Sequence, residues 1–176
     1  MKSVLKIKLF GASGCHKTTY YKLLLNATKL PYTFLDVEAN EEHAEELRGL
    51  YENHKLNFPT ITIGKKKLRN PTKDELDKWL NKLIPSRLPI IHDIENQQYI
   101  ININGEIAKV EYSLNDSIMS LTHSEVPYNL RGKGLGKVLV EKAFEKLNNE
   151  GHNAVAVCSY IKAIAKRSTK WNSIIN

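Results

Sequence analysis

The segment Arg131-Gly132-Lys133-Gly134-Leu135-Gly136 decides how the C-terminal half of this chain folds. A strand pattern (118–126) leads into it, and a helical pattern (137–149) follows at once. Glycine has no Cβ, so the backbone N–H groups of such a loop can approach a ligand closely. The N-terminus of the following helix points its unpaired N–H groups and positive dipole end at the same place. The sequence therefore predicts a pyrophosphate site at this turn.

The spacing of the glycines excludes two other phosphate-binding loops. A dinucleotide-binding loop needs G-x-G-x-x-G after the first strand of a βαβ unit, and here the glycines alternate. A P-loop needs Gly-Lys-Ser/Thr after four free positions, and no such triplet stands here. The strand patterns before the loop form an antiparallel meander, with Asn104-Gly105 as a strong hairpin signal. A phosphate site at the end of a meander remains.

This half resembles the short GNAT-like N-acetyltransferases over residues 90–176. The resemblance rests on the glycine loop, on His123-Ser124-Glu125-Val126-Pro127 before it, and on Cys158-Ser159-Tyr160 after the next strand. It implies acetyl-CoA as the donor, with the pyrophosphate on the loop backbone and the pantetheine on the backbone of Glu125 and Val126. The implied coenzyme A-binding residues are Val126, Arg131, Gly132, Lys133, Gly134, Leu135, Gly136 and Lys137.

Direct transfer to an amine needs a base for the amine and an acid for the leaving thiolate. His123 and Glu125 lie two residues apart on one strand, so they share a face and either is a candidate base. Tyr160 is the candidate acid. Cys158 has three readings, as a nucleophile that forms an acetyl-enzyme, as a packing residue or as a redox target.

The N-terminal half reads βαβαββα over residues 1–84, with a first strand at 4–10 and a helix that opens at Cys15. We expect Tyr20, Leu23, Leu24 and Ala27 to form the buried stripe of that helix. We expect a cysteine at a strand-to-helix turn to have a lowered thiol pKa, because helix N–H groups and the neighbouring His16 and Lys17 favour the thiolate. Cys15 is therefore either a nucleophile toward disulfides or a plain buried cysteine.

This half resembles the glutaredoxins, which have the thioredoxin fold. The resemblance rests on the cysteine at the first helix, on Phe58-Pro59-Thr60 and on the segment 68–72. It implies a cis-proline at Pro59 and backbone pairing of Phe58 with a thiol peptide such as glutathione. Thr18 stands where a second cysteine would, so any cycle is monothiol and needs glutathione or another low-molecular-weight thiol. A binding module without turnover is the alternative.

The whole chain has 176 residues and a net charge of +7, which fits two small α/β (α+β) domains. Pro85 and Pro89 mark the segment 85–89 as the linker. Lys6 and Lys8 interrupt the first apolar segment, and no apolar run reaches the ~20 residues that span a bilayer. We therefore expect a cytoplasmic protein that does not associate with a membrane. We also expect no bound metal. The positive charge has no nucleic-acid motif behind it.

These patterns predict an acetyl-CoA-dependent N-acetyltransferase whose front domain serves redox coupling or substrate recognition. Its acceptor is a small-molecule or peptide amine that the sequence does not identify, and a homodimer is compatible with the sequence. One alternative is a monothiol oxidoreductase with a coenzyme A-binding module, and another is a non-catalytic binding protein. Each half contains one cysteine, so Cys15 and Cys158 are also candidates for communication between the domains.

Overall fold

A computed structural model describes residues 5–175 of the chain. Its contacts divide the chain into two compact units, of which one ends at Ile84 and the other begins at Pro85. The first unit contains β1 (Ile7–Gly11), α1 (His16–Ala27), β2 (Tyr32–Asp36), α2 (Glu41–Gly49), β3 (Thr60–Ile63), β4 (Lys66–Arg69) and α3 (Lys73–Leu83). The second contains β5 (Ile91–Asp93), β6 (Gln98–Ile103), β7 (Glu106–Asn115), β8 (Ile118–Glu125), α4 (Leu135–Asn149), β9 (Asn153–Ala156), α5 (Ser159–Lys166) and α6 (Thr169–Asn172). Val4, with which the first strand was expected to begin, lies outside the described residues.

The four strands of the first unit form one sheet in the order β2-β1-β3-β4. β1 and β2 are parallel and are joined through α1, whereas β3 is antiparallel to both β1 and β4. A parallel pair needs a helical crossover, and the short turn at Gly64 closes the β3–β4 hairpin. This order and connectivity confirm the predicted thioredoxin fold.

The buried face of α1 differs from the expected one. Thr18, Tyr21 and Leu25 are buried, whereas Tyr20 and Leu23 are 47% and 65% exposed. Leu23, Leu24 and Leu25 follow one another, so each possible helix face contains one leucine and the apolar pattern does not select among them. Packing against β1 and β3 selects Leu25, and Leu24 lies at the margin of that core.

Helix ends follow their capping residues. The Thr72 hydroxyl accepts a hydrogen bond from the N–H of Glu75 at 3.1 Å and so caps the start of α3. The Asn40 side chain caps α2, which ends at Gly49. α4 has 15 residues and is the longest of the described helices. Across residues 5–175, no helix combines the length and apolar character needed to cross a bilayer.

The second unit is built on a five-stranded sheet in the order β5-β6-β7-β8-β9. The pairs from β5 to β8 are antiparallel, and β8 pairs with β9 in parallel through the α4 crossover. Asn104 and Gly105 both have positive φ at the β6–β7 turn, which confirms the predicted hairpin. The antiparallel meander, glycine loop, helix and further strand are those of the predicted GNAT fold.

One face of this sheet carries the hydrophobic core of the second unit. Ala108, Val110 and Tyr112 of β7 are buried, whereas Ile107 on the other face is 45% exposed. Packed against the buried face is the apolar stripe of α4, which consists of Leu139, Val140, Ala143, Phe144 and Leu147. Trp171 and Ile175 complete the same core. Burial of this stripe fixes where α4 begins, and therefore where its N-terminus points.

Candidate active site

The glycine loop delivers an uncapped helix N-terminus. Gly132 and Gly134 have φ values of 75° and 69°, in the left-handed region that favours glycine. Gly134 is the N-cap of α4, so no side chain accepts from the first-turn N–H groups, and that turn contains no acidic residue. The first four N–H groups of a helix have no acceptor within it. The loop therefore presents unneutralised N–H groups and the positive end of the dipole, which favours an anion.

The basic side chains of the loop have protein partners. Nε of Arg131 donates to the carbonyl oxygen of Val126 at 3.0 Å, and its guanidinium lies 5.9 Å from the ring centre of Tyr128. Lys137 lies 3.6 Å from the Glu141 carboxylate, one turn along α4. Arg131 thus ties the loop back to the end of β8. Anion binding by the loop backbone stays a prediction.

The structure places Tyr160 against the start of α4. A Cβ on Gly136 would lie 2.8 Å from the Tyr160 hydroxyl oxygen, closer than real Cβ atoms come. Gly136 is therefore required for close approach, although its own φ is ordinary. Burial raises the pKa of Tyr160, and Glu141 adds to this while Arg167 opposes it. The phenol is neutral at physiological pH and can donate a proton. The structure therefore brings two of the predicted site residues, Gly136 and Tyr160, together.

β8 and β9 diverge beside this helix. Their parallel pairing runs from Ile118 opposite Asn153 to Leu121 opposite Ala156 and stops there. The carbonyl oxygen of Leu121 accepts from the N–H groups of both Val157 and Cys158, each at 3.0 Å. β8 continues to Glu125 paired with β7 alone. Its backbone groups on the β9 side are then available to an extended ligand.

A β-bulge reverses which face of the sheet the last side chains of β8 occupy. Glu111 lies opposite His123 and Tyr112 lies opposite Leu121, so Thr122 is an extra residue in β8. An extra residue reverses the alternation of side chains beyond it. His123 and Glu125 are consequently exposed and do not share the buried face of Leu121. They share a face with each other, as the strand spacing predicts.

Sequence reasoning did not identify Lys109 as part of this site. Lys109 lies opposite Glu125 in the register, and its ammonium is 3.5 Å from Glu125 and 2.7 Å from Glu111. The bond to Glu111 is the main cause that raises the pKa of Lys109, with a further contribution from Glu125. The alternation of Lys109 and Glu111 on the exposed face of β7 was visible, but their partner across the sheet depends on the bulge.

Cys158 is the N-cap of α5 and packs against the margin of the core. Its N–H is bound to Leu121, so it stands where β8 and β9 separate. Both cysteines are free thiols. The roles predicted for His123, Glu125, Cys158 and Tyr160 stay predictions, as does communication between Cys15 and Cys158.

In the first unit, Cys15 is the partly exposed N-cap of α1. The thiol pKa is lowered, chiefly by the N–H of Thr18, with burial opposing and the Thr18 hydroxyl and Lys17 assisting. Thr18 itself is buried, and a Cβ on Gly11 would lie 2.4 Å from its hydroxyl oxygen. Gly11 is therefore required for Thr18 to reach the thiol. A stabilised thiolate is a nucleophile toward disulfides.

Two further features surround the Cys15 turn. The Phe58–Pro59 bond is cis, as the resemblance implies for Pro59. A groove of about 450 Å³ is lined by His16, Lys17, Tyr20, Tyr21 and Asn70. The predicted pairing of Phe58 with a thiol peptide stays a prediction.

The Asp36 carboxylate holds the turn before Cys15. It accepts from the N–H of Ser13 at 3.0 Å and from the Ser13 hydroxyl, and its other oxygen accepts from Glu38 and Ala39 at 3.0 and 3.1 Å. The Ser13 hydroxyl is the largest cause that lowers the pKa of Asp36 to about 2. Sequence reasoning missed Asp36, because an aspartate at a strand end gives no signal of its distant partner.

A family model described as GCN5-related N-acetyl-transferase matches residues 98–174. Protein NATD1 from Danio rerio is 32% identical to this chain over 89 residues, which are 48% of this chain and 80% of that protein. The chain belongs to the GCN5-related N-acetyltransferase family. Protein NATD1 from Homo sapiens is similar to it at 31% identity over 81 residues, 44% of this chain and 71% of that protein.

Two solved structures are also similar to this GCN5-related N-acetyltransferase family member. The thioredoxin-like protein BC3987 is 21% identical, with a TM-score of 0.37, over 48% of this chain and 97% of that chain. The glutaredoxin from Archaeoglobus fulgidus is 15% identical, with a TM-score of 0.37, over 47% of this chain and 88% of that chain. The family model begins at residue 98, so the first unit and β5 lie before its match.

Replacing Asp36 by Asn should remove an acid-dependent part of the stability of the first unit. Because the pKa of Asp36 is about 2 in the fold and ordinarily near ~3.9, its contribution is present above the ordinary value and is lost as pH falls toward 2. We expect the wild type to be more stable than Asp36→Asn at pH 6 and the difference to shrink by pH 2. Denaturant unfolding at several pH values measures this. Glu52→Gln, at an exposed carboxylate, is the control; a gap that persists at pH 2 would contradict the expectation.

Proposed function

We propose that this protein is an acetyl-CoA-dependent N-acetyltransferase acting on a small-molecule or peptide amine. The observation that carries the proposal is the uncapped N-terminus of α4 at Gly134, beside the divergence of β8 and β9. An anion site and an open strand edge at one place suit a ligand that has a pyrophosphate at one end and an amide-containing arm at the other. Coenzyme A has both, and membership of the GCN5-related N-acetyltransferase family supports the same donor.

The loop from Arg131 to Lys137 would hold the pyrophosphate through its backbone N–H groups. The arm would lie along the free side of β8, where the backbone of Glu125 and Val126 is not paired with β9. The Val126 carbonyl already accepts from Arg131, and its second lone pair remains for the arm. The thioester would then lie toward the end of β9, where Cys158 is the N-cap of α5 and Tyr160 lies in its first turn.

Residues of this chain can accept and donate the protons that acetyl transfer requires. The amine nitrogen attacks the carbonyl carbon of the thioester, so that a C–N bond forms and the C–S bond breaks. The amine proton passes to Glu125 or to His123, directly or through water. The leaving thiolate takes a proton from Tyr160, whose phenol stands at the start of α4. Packing of Cys158 against the core favours its reading as a packing residue over that of a nucleophile.

The surroundings of Glu125 favour a positively charged acceptor. Glu111 and Glu125 flank Lys109 on the exposed face of the sheet, so two carboxylates face one ammonium there. An incoming ammonium would be attracted to the residual negative charge and must lose its proton before it attacks. Of the two candidate bases, Glu125 and His123, we favour Glu125. Its partner Lys109 is held mainly by Glu111, so the Glu125 carboxylate is left to accept a proton from the amine.

Gly134→Asp should weaken coenzyme A binding more than Gly134→Asn does. Both side chains tolerate positive φ and both cap helices, so the two variants differ in charge alone. The Asp carboxylate would occupy the anion site and repel the pyrophosphate. We expect titration calorimetry with acetyl-CoA to show an affinity at least about tenfold lower for Asp than for Asn. Equal affinities, or no binding to the wild type, would refute the proposed donor site and favour a non-catalytic protein.

Glu125→Gln should lower kcat by about 10² to 10⁴ with an amine acceptor, the range that general-base catalysis contributes. Glu111→Gln is the matched control, because it breaks the shorter ion pair of the same Lys109 and leaves Glu125 in place. The kcat of both variants is measured with acetyl-CoA and a panel of amines, and the coenzyme A thiol that is released reports the reaction. If Glu111→Gln loses as much activity as Glu125→Gln, the charge of the patch matters and Glu125 is not the base; His123→Gln then tests the other candidate.

A second activity is favoured by the lowered thiol pKa of Cys15, and we propose monothiol–disulfide exchange for the first unit. The Cys15 thiolate attacks one sulfur of a disulfide; a mixed disulfide forms, the S–S bond breaks and the other sulfur leaves as a thiolate. Glutathione or another low-molecular-weight thiol would then attack the mixed disulfide and release Cys15. The groove beside His16 and Asn70 is the place for that thiol.

Thr18→Val should slow this exchange by raising the thiol pKa, since it removes the hydroxyl that assists the thiolate and keeps the side-chain volume. Thr19→Val is the control, because the Thr19 hydroxyl donates a hydrogen bond to the carbonyl oxygen of Cys15 and not to its thiol. The pH dependence of alkylation by iodoacetamide gives the thiol pKa, and exchange with a glutathione mixed disulfide gives the activity. An inactive wild type would refute the redox proposal, and Cys15→Ser with wild-type activity would move it to Cys158.

A further inference from the structure

Three potential metal ligands converge at the opposite end of α4 from the glycine loop. They are His92 of β5, Glu150 at the C-cap of α4, and His152 just before β9. One ligand atom from each lies within 4.8 Å of the others. Glu150 and His152 are near neighbours in sequence, whereas His92 is brought to them by the fold of the sheet.

We propose that His92, Glu150 and His152 bind a zinc ion. Two imidazoles and one carboxylate form a ligand set that Zn²⁺ takes in proteins, with a fourth position open to water. Ca²⁺ and Mg²⁺ prefer oxygen ligands and do not suit two imidazoles. None of the residues predicted for acetyl transfer belongs to the cluster.

The geometry needs only a small adjustment to coordinate the ion. Nδ1 of His92 lies 2.9 Å from Oε2 of Glu150, and the rings of His92 and His152 are 6.0 Å apart and nearly perpendicular. Tetrahedral zinc with bonds of about 2.0–2.1 Å places neighbouring ligand atoms about 3.3 Å apart. The distance between Nδ1 of His92 and Oε2 of Glu150 must increase slightly. Rotation of the partly exposed His152 side chain would move a ring nitrogen to the ion.

Two tyrosines orient His92 and Glu150. Nε2 of His92 lies 2.8 Å from the hydroxyl of Tyr112, which leaves Nδ1 for the metal. Tyr99 donates to Oε2 of Glu150 at 3.1 Å, and its ring stacks on His92 at 4.2 Å. The His92 side chain is only 7% exposed, so these contacts fix its position. Hydrogen bonds of this kind set the tautomer and orientation of metal-bound histidines.

Lys146 opposes the ion. Its ammonium lies 3.1 Å from Oε1 of Glu150, on the oxygen that does not face His92. A divalent cation on Oε2 would repel it. Lys146 is 41% exposed on its side chain and can turn into solvent. Its removal should therefore strengthen metal binding, a change opposite in sign to the loss of a ligand.

The ion would act on the stability of the fold and not on acetyl transfer. α4 has 15 residues, so at 1.5 Å a residue its two ends lie about 20 Å apart. An ion at the C-terminal end cannot touch the coenzyme A loop at the other end. It would instead fasten β5, the edge strand of the sheet, to the end of α4. Binding to the folded state alone raises the unfolding temperature.

The experiment is a titration of the purified full chain, stripped with a chelator, with ZnCl₂, by calorimetry and thermal unfolding. We expect one equivalent of zinc, a raised Tm, and a similar response to Co²⁺ without the charge-transfer band of a thiolate ligand. His152→Asn should weaken binding at least about tenfold. Lys146→Gln should tighten it severalfold. His54→Asn, at an exposed histidine of the first unit, is the matched control and should change nothing.

Two outcomes would overturn the proposal. One is the absence of saturable zinc binding in both the wild type and Lys146→Gln. The other is binding that survives His152→Asn and Glu150→Gln but disappears in Cys15→Ser or Cys158→Ser, which would place the metal on a thiol. Circular dichroism confirms that each variant is folded, and His152→Asn changes a partly exposed side chain, so loss of fold does not obscure the result.

Discussion

The second unit depends on one hydrogen-bonding constraint at the carbonyl of Leu121. This oxygen accepts from the N–H groups of both Val157 and Cys158, which ends the parallel pairing of β8 with β9. β9 then turns into α5, while β8 runs on to Glu125 with a free edge. The carbonyl therefore creates the opening in the sheet and also sets the position at which α5 begins. A ligand arm can join the edge because backbone groups that lack a strand partner must be satisfied by water or by a ligand.

The core and the loop act together on the same opening. The apolar stripe of α4 is fully buried, so the helix cannot rotate or slide without exposing it. Its N-terminus is thereby held beside the end of β8. Gly132 and Gly134 supply the positive φ values that connect the two, and Arg131 ties the connection to Val126. Gly136 has a different task, since its missing Cβ leaves the space that the Tyr160 hydroxyl occupies.

The features predictable from sequence were those fixed by local chemistry. Asn104-Gly105 makes its turn, Thr72 caps its helix, and the stripe of α4 is buried as its spacing indicates. The prediction of which face of α1 is buried was wrong, because three consecutive leucines place one leucine on several faces of the helix. Packing against the sheet selects the buried one. The bulge at Thr122 was not predictable, since the polar residues 122–125 alternate equally well in either register. Lys109 and Asp36 were missed for the same reason, because their partners are set by the sheet and not by neighbours in sequence.

The two cysteines show how similar sequence settings give different chemistry. Each follows a strand and is the N-cap of a helix, so the same dipole argument applies to both. Cys15 follows a turn that Asp36 and Ser13 hold open, and the N–H and hydroxyl of Thr18 lie where a thiolate can accept from them. Cys158 packs against the margin of the core of the second unit. The N-cap position is common to both cysteines, so the groups around each sulfur distinguish them: N–H and hydroxyl donors around Cys15, and apolar packing around Cys158. This difference supports the proposal of Cys15 as the nucleophile and of a packing role for Cys158.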